Sequence, residues 1–337
     1  MKLATYKDGS RDGQLVIVAR DLGTAHYATG IANQLQQVLD DWNFMAPQLQ
    51  DLSDLLNSGK ARHAFPFDPR QCMAPLPRAY QWAHGTAYLN HEARVRQADG
   101  LEMPMGCETA PLMYQGGSDD FLGPCDDVVC GSEADGIDFE AGMAVIAGDV
   151  CRGSTPAQAL DGIRLMMLAN AVGLRQRMAT ERTTGHGFVQ GRPATAFSPV
   201  ALTLDELTFN GESAWDKGRV HLTLQSTWNG RKVGMCETGP EMTFHFGQLI
   251  AHLCTTRHVR AGAIIGAGAV SNQDSSQGFS CIAEKRAMET LQDGKPVTAF
   301  MKYGDTIRID MKGRDGQSLF GAIEQTIVSP GSATAPR

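Results

Sequence analysis

The chain has no apolar run close to the roughly 20 residues that cross a bilayer as a helix, so no membrane span is expected. It has no block of lysine or arginine. With a net charge of −7 and a pI near 5.7, nucleic acid and anionic membrane surfaces are poor partners for it. The eight cysteines show no regular spacing, and Cys125 and Cys130 lack the second ligand pair of a zinc site. Reduced thiols in a cytoplasmic protein are therefore expected, without a disulfide framework. The opening residues turn polar by Asp8, which argues against a signal peptide. No internal repeat is visible.

What is present is length enough for a large core. The 337 residues read as two domains, a small N-terminal unit over 1–70 and a larger one over 71–330, with a disordered tail over 331–337. Residues 1–20 read as a β-hairpin with turn residues at Asp8-Gly9 and Asp12-Gly13. Two amphipathic helices follow, one carrying Leu35, Val38 and Leu39, the other Leu49, Leu52 and Leu56. Residues 57–86 read as a surface linker. Beyond it the pattern is mostly strand, with a hairpin across Asn229-Gly230 and a last one over Asp315-Gly316. Two helices interrupt it, one from Ser154 to about Leu174 and one from Pro240 to about Arg257.

Acidic residues inside an apolar run point to chemistry. Gly136-Ile-Asp-Phe-Glu-Ala-Gly-Met-Ala-Val-Ile-Ala-Gly148 reads as a strand, where a buried charge is costly unless paired or metal-bound. Residues two apart on a strand share a face, so Asp138, Glu140 and position 142 form one row. Position 142 is glycine. A carboxylate there would give Glu140 a partner for a hard divalent cation; here the row is broken.

This run resembles the Asp-x-Glu-x-Glu metal motif of the fumarylacetoacetate hydrolase superfamily. Asn170-Ala-Val-Gly-Leu-Arg-Gln176 resembles that family's Asn-Asp-x-Ser-x-Arg segment. Gln190-Gly-Arg-Pro-Ala-Thr-Ala-Phe-Ser-Pro199 resembles its lysine-to-proline loop, and Gly262–Asn272 is similar to its late Gly-Thr segment. The resemblance runs from about residue 110 to 328. It implies a mainly β, α+β fold: a mixed, rolled β-sheet catalytic domain behind the small α+β N-terminal domain of longer bacterial members, paired as a homodimer. It also implies a divalent cation held by two glutamates and an aspartate, gripping the enolate of an acylpyruvate or 1,3-dicarbonyl. The first glutamate is Glu140, but the second falls on Gly142 and the aspartate on Ala171. One carboxylate holds a hard cation poorly, so no tightly bound cofactor is expected, and magnesium or manganese only weakly.

Further site residues follow from the same resemblance. The family lysine falls on Arg192, which keeps the charge and can grip a carboxylate at two points, but cannot serve as a neutral base. The substrate-facing threonine falls on Ala269. The lid histidine falls on His91 in Tyr88-Leu-Asn-His-Glu-Ala-Arg94, with Arg94 in place of the glutamate and Glu92 close by. A half-exposed histidine bonded to backbone is the alternative for His91. His186, in Thr184-Gly-His-Gly187, is a second candidate, whereas His245 reads as structural. Tyr114 and Gln115, at the head of Gln115-Gly-Gly-Ser-Asp-Asp120, correspond to a pocket-lining loop. Three readings stay open: metal-independent chemistry on an enolisable oxo-acid with Glu140 or His91 as base, ordinary metal-dependent hydrolysis at a rebuilt site, or a silent relative that binds a ligand or partner.

Overall fold

Residues 1–332 are described by a computed structural model. Of the expected disordered tail, 333–337 lie outside the described residues, and Gly331 and Ser332 form a turn. Strands β1 (Lys2–Tyr6) and β2 (Gln14–Val18) pair antiparallel, Lys2 opposite Val18, in the expected hairpin. Strands β3 (Thr24–Tyr27) and β4 (Phe65–Pro66) extend it. Helices α1 (Leu35–Asp40) and α2 (Trp42–Asn57) bury Leu35, Val38, Leu39, Leu49 and Leu56 in the same core as Leu15 and Ile17.

The larger part contains β5 (Trp82–Gly85), α3 (Leu89–Ala98), β6 (Met113–Gly116), β7 (Ala141–Ala147), α4 (Pro156–Leu160), β8 (Ile163–Asn170), α5 (Arg175–Thr184) and β9 (Ala201–Leu202). It continues through β10 (Thr223–Trp228), β11 (Arg231–Glu237), α6 (Phe246–Leu253), β12 (Ile264–Gly268), α7 (Ile282–Asp293), β13 (Thr306–Met311) and β14 (Ile323–Val328). One eleven-stranded sheet runs β4-β3-β2-β1-β9-β8-β7-β12-β5-β6, with Ala196–Phe197 also paired to β8. Because β1 pairs with β9, the N-terminal strands extend the sheet of the larger part without a break. A second, five-stranded sheet runs β11-β10-β13-β14 and ends on Val128–Val129.

Several expectations change, since α3, α5 and α7 stand in a stretch that reads as mostly strand. The span 57–86 is no linker throughout, because Trp82–Gly85 forms a buried strand parallel to β12. The helix expected from Ser154 is one short turn, Pro156–Leu160, capped by Thr155, after which the chain becomes strand β8. The reason is burial on both faces: Met166 and Leu168 enter one core cluster, Leu165 and Met167 the other. A strand covered on both sides loses its alternation and reads like a buried helix. The helix expected over 240–257 is shorter, Phe246–Leu253. The two later hairpins, β10–β11 and β13–β14, pair as the sequence implies.

Candidate active site

The site gathers where β7 begins and α5 and α7 start. Asp138 and Glu140 share a face, as two-residue spacing requires, and both are buried. Arg175, the first residue of α5, bridges them: its Nη2 lies 2.8 Å from Asp138 Oδ2 and 2.6 Å from Glu140 Oε1. Arg192 brings a second guanidinium, with Nη1 2.7 Å from the same Glu140 oxygen. Arg192 also donates to the Ala171 carbonyl at 3.1 Å, and its guanidinium lies 4.5 Å from the centre of the Tyr114 ring. Phe188 stands on another side, 5.9 Å away. Asp138 additionally accepts the amides of Ile282 and Ala283 at 2.6 and 2.9 Å, so one carboxylate ties the segment leading into β7 to the first turn of α7.

Charge at this point is balanced by design of the side chains. Burial disfavours ionised Glu140, but Arg175, Arg192 and His84 outweigh it and bring its carboxyl down to about 2. His84 on β5 is neutral, since burial pushes its imidazole down to about 4. Four buried polar atoms converge here without a hydrogen-bond partner: Glu140 Oε1, Arg175 Nη2, Arg192 Nε and Tyr114 Oη. The guanidinium contacts to Glu140 are thus close ionic approaches that lack hydrogen-bond alignment.

A second group adjoins the first through Cys281, which forms a β-bridge with Glu140. His91, on α3, has Nδ1 3.3 Å from Glu284 Oε2 on α7 and 3.9 Å from Cys281 Sγ. Arg94 Nη1 donates to Glu284 at 2.6 Å, and the Ser271 hydroxyl donates to the same carboxylate. Burial opposes protonation of His91, yet the Cys281 sulfur and the Glu284 carboxylate raise it well above its ordinary range. Ligand-type atoms of His91, Cys281 and Glu284 lie within 4.8 Å of one another.

The structure brings Glu140, Arg192 and Tyr114 together and sets His91 beside them. Gln115 points the other way on β6. It lines a separate cleft of about 310 Å³ with Tyr80, Gln81, Arg257, His258 and Arg260. His186 is exposed, its Nδ1 2.7 Å from the Thr184 carbonyl. Ala269 is buried just past β12. Position 142 has no room for a side chain: a Cβ there would stand 2.6 Å from the Ala267 carbonyl oxygen. Ala171, where the resemblance puts the family's aspartate, is also buried. His84, Arg175, Cys281 and Glu284 escaped the sequence reading. Arg175 was visible inside the Asn170–Gln176 motif. Glu284 sits 193 residues from His91, and only the fold pairs them.

Residues 1–78 match the profile of Fumarylacetoacetase N-terminal domain 2, and residues 81–328 that of Fumarylacetoacetate (FAA) hydrolase C-terminal. The chain belongs to the fumarylacetoacetate hydrolase family. Solved structures of this fold match end to end. A fumarylacetoacetate hydrolase from Exiguobacterium antarcticum superposes with a TM-score of 0.63 at 16% identity, covering 98% of this chain and 99% of that one. Maleylpyruvate hydrolase from Sphingobium sp. SYK-6, in complex with manganese (II) ion and pyruvate, gives 0.61 at 16% identity, covering 98% and 99%. The 2-hydroxyhepta-2,4-diene-1,7-dioate isomerase from Mycobacterium marinum gives 0.60 at 16%, covering 98% and 100%. No functionally curated protein matches the chain. The named members of this fumarylacetoacetate hydrolase fold are hydrolases and isomerases, and this chain carries their architecture over nearly its whole length.

Proposed function

We propose that this fumarylacetoacetate hydrolase-family chain is an enzyme of enolisable oxo-acids, of the acylpyruvate or 1,3-dicarbonyl class, that works without a resident divalent ion. The observation that carries this reading is Glu140: its charge is already met by Arg175 and Arg192, at 2.6 and 2.7 Å. A hard divalent ion takes about six oxygens. Here it would find Glu140, neutralised by two fixed cations, and Asp138, already held by Arg175 and two backbone amides, with glycine and alanine at the other ligand positions. The residues present do not fit it. Nor does the His91–Cys281–Glu284 group offer a free carboxylate, since Arg94 and Ser271 already hold Glu284.

The guanidinium groups supply the positive charge instead. Arg192 Nε is a buried donor without an acceptor, suited to a substrate carboxylate or to an oxygen that gains charge as an enolate forms. Tyr114 Oη adds a hydroxyl beside them. His91 is the group that moves a proton: with Nδ1 turned to Glu284, Nε2 is the nitrogen that gives one up to form the free base and takes it back. Glu140 is excluded as base by its low pKa and its two cations. All eight cysteines are free, which accords with a reducing, cytoplasmic setting. Turnover of acylpyruvates in excess chelator tests the proposal. We expect activity to survive the chelator and to be lost in Arg192→Ala. Activity that vanishes with chelator and returns with magnesium or manganese would contradict it and support a rebuilt metal site.

A further inference from the structure

We propose that Glu181 is the positioning residue that holds Arg192 at Glu140, by fastening the three successive backbone amides that lead into it. The inference rests on Arg192 being the anion anchor. Glu181 lies on α5; its Oε1 accepts the amides of Val189 at 3.0 Å and Gln190 at 2.7 Å, and its Oε2 accepts that of Gly191 at 2.9 Å. Arg192 is the next residue. All three partners are donors, so the position requires a group that only accepts, with two oxygens. Glutamine, nearly identical in shape, would turn an NH2 towards at least one of these N–H groups.

The surrounding chain explains why one side chain carries this duty. Between α5 and Val189 the loop passes through Gly185 and Gly187, at φ +71° and +85°, conformations that suit glycine and leave the segment little stiffness of its own. Gly191 is fitted to the clamp, because a Cβ there would stand 2.6 Å from Met178 Cγ and 2.9 Å from Glu181 Oε2. One further side-chain tie, Arg177 to the Gln190 amide oxygen at 3.0 Å, is exposed. Arg175 opens α5 and Arg192 closes the loop. Glu181 therefore ties the far end of this module back onto α5, beside the Leu174 amide's bond to the Gly191 carbonyl at 2.9 Å, and so helps set how the two guanidinium groups meet on one oxygen of Glu140. The same tie carries Phe188 to its edge-on packing against Tyr114, with ring centres 6.1 Å apart.

The test uses the full chain as wild type, Glu181→Ala, Glu181→Gln, Arg192→Ala and the Glu181→Ala/Arg192→Ala double variant. Hydrogen–deuterium exchange should show amides 189–191 opening roughly tenfold or more faster in both Glu181 variants, the size of a lost hydrogen bond to a charged group, with β7 and β8 unchanged. Calorimetric titration with oxalate, a small dicarboxylate probe, should show weaker binding in both Glu181 variants. The double variant should bind no more weakly than Arg192→Ala alone, because the two residues act through one contact. Unchanged protection at 189–191, losses that simply add, or faster exchange spreading through β7 and β8 would each overturn the proposal. Oxalate binding untouched by Arg192→Ala would instead count against the anion anchor, while the exchange data would still decide the role of Glu181.

Discussion

Glu140 carries most of the consequences that a single substitution can reveal. It is buried between two guanidinium groups, and removing one member of such a buried set costs about 3–5 kcal/mol because the remaining charge is left unpaired. Glu140→Gln is therefore expected to lower the melting temperature markedly, which calorimetry will read. Its pH signature has a definite sign. The folded carboxyl titrates at about 2 against an ordinary 4.5, so its stabilisation is complete above the ordinary value and is lost as pH falls towards 2. Denaturation midpoints measured from pH 5 down to 3 should drop in the wild type and flatten in Glu140→Gln. His91 behaves in the opposite direction. Its raised pKa keeps a proton on the imidazole near neutrality, so a reaction that needs the free base should quicken as pH rises. Glu284→Gln removes the carboxylate and should move that rising limb to lower pH; a limb that stays in place would remove His91–Glu284 from the chemistry.

The pairing of β7 with β12 decides what the site can hold. Gly142 lies opposite Gly268 in that pairing, and the backbones approach so closely that even a Cβ meets the Ala267 carbonyl at 2.6 Å. Substitution by glutamate overpacks the strand pair, at a cost of about 1–3 kcal/mol or more. Gly142→Glu with Ala171→Asp is accordingly expected to destabilise the protein without creating a magnesium site, as melting and calorimetric titration will show. The glycine was legible in the sequence as a missing carboxylate; that it marks a tight strand contact was not, because the contact comes from residue 268. The same distance in sequence explains the other gaps. Alternation in β1, β2, β10 and β11 and turns such as Asn229-Gly230 are local, and they were readable. Strand β8 was mistaken for helix because cores on both sides erase its alternation. Gln115 heads a segment that resembles a pocket-lining loop, yet it lies on strand β6 beside Tyr114, and adjacent side chains on a strand point to opposite faces. Glu284 and Cys281 come from α7 and reach His91 only through the folded sheet.

Across the whole molecule, the family architecture persists, and the proposal concerns the charge at its centre. The described residues contain no helix long and apolar enough to cross a membrane, and strands from both family profiles join in one continuous sheet. Asp138 and Glu140 are balanced by Arg175 and Arg192, so the centre holds equal numbers of acidic and basic groups, and on the proposed reading Arg192 Nε is the donor offered to an anion. The most direct measurement is calorimetric titration of the wild-type protein with manganese (II), followed by oxalate with and without the metal. We expect no micromolar manganese site and oxalate binding that is the same in excess chelator. Stoichiometric micromolar manganese binding that is abolished by Glu140→Gln, with oxalate binding that depends on the metal, would contradict it.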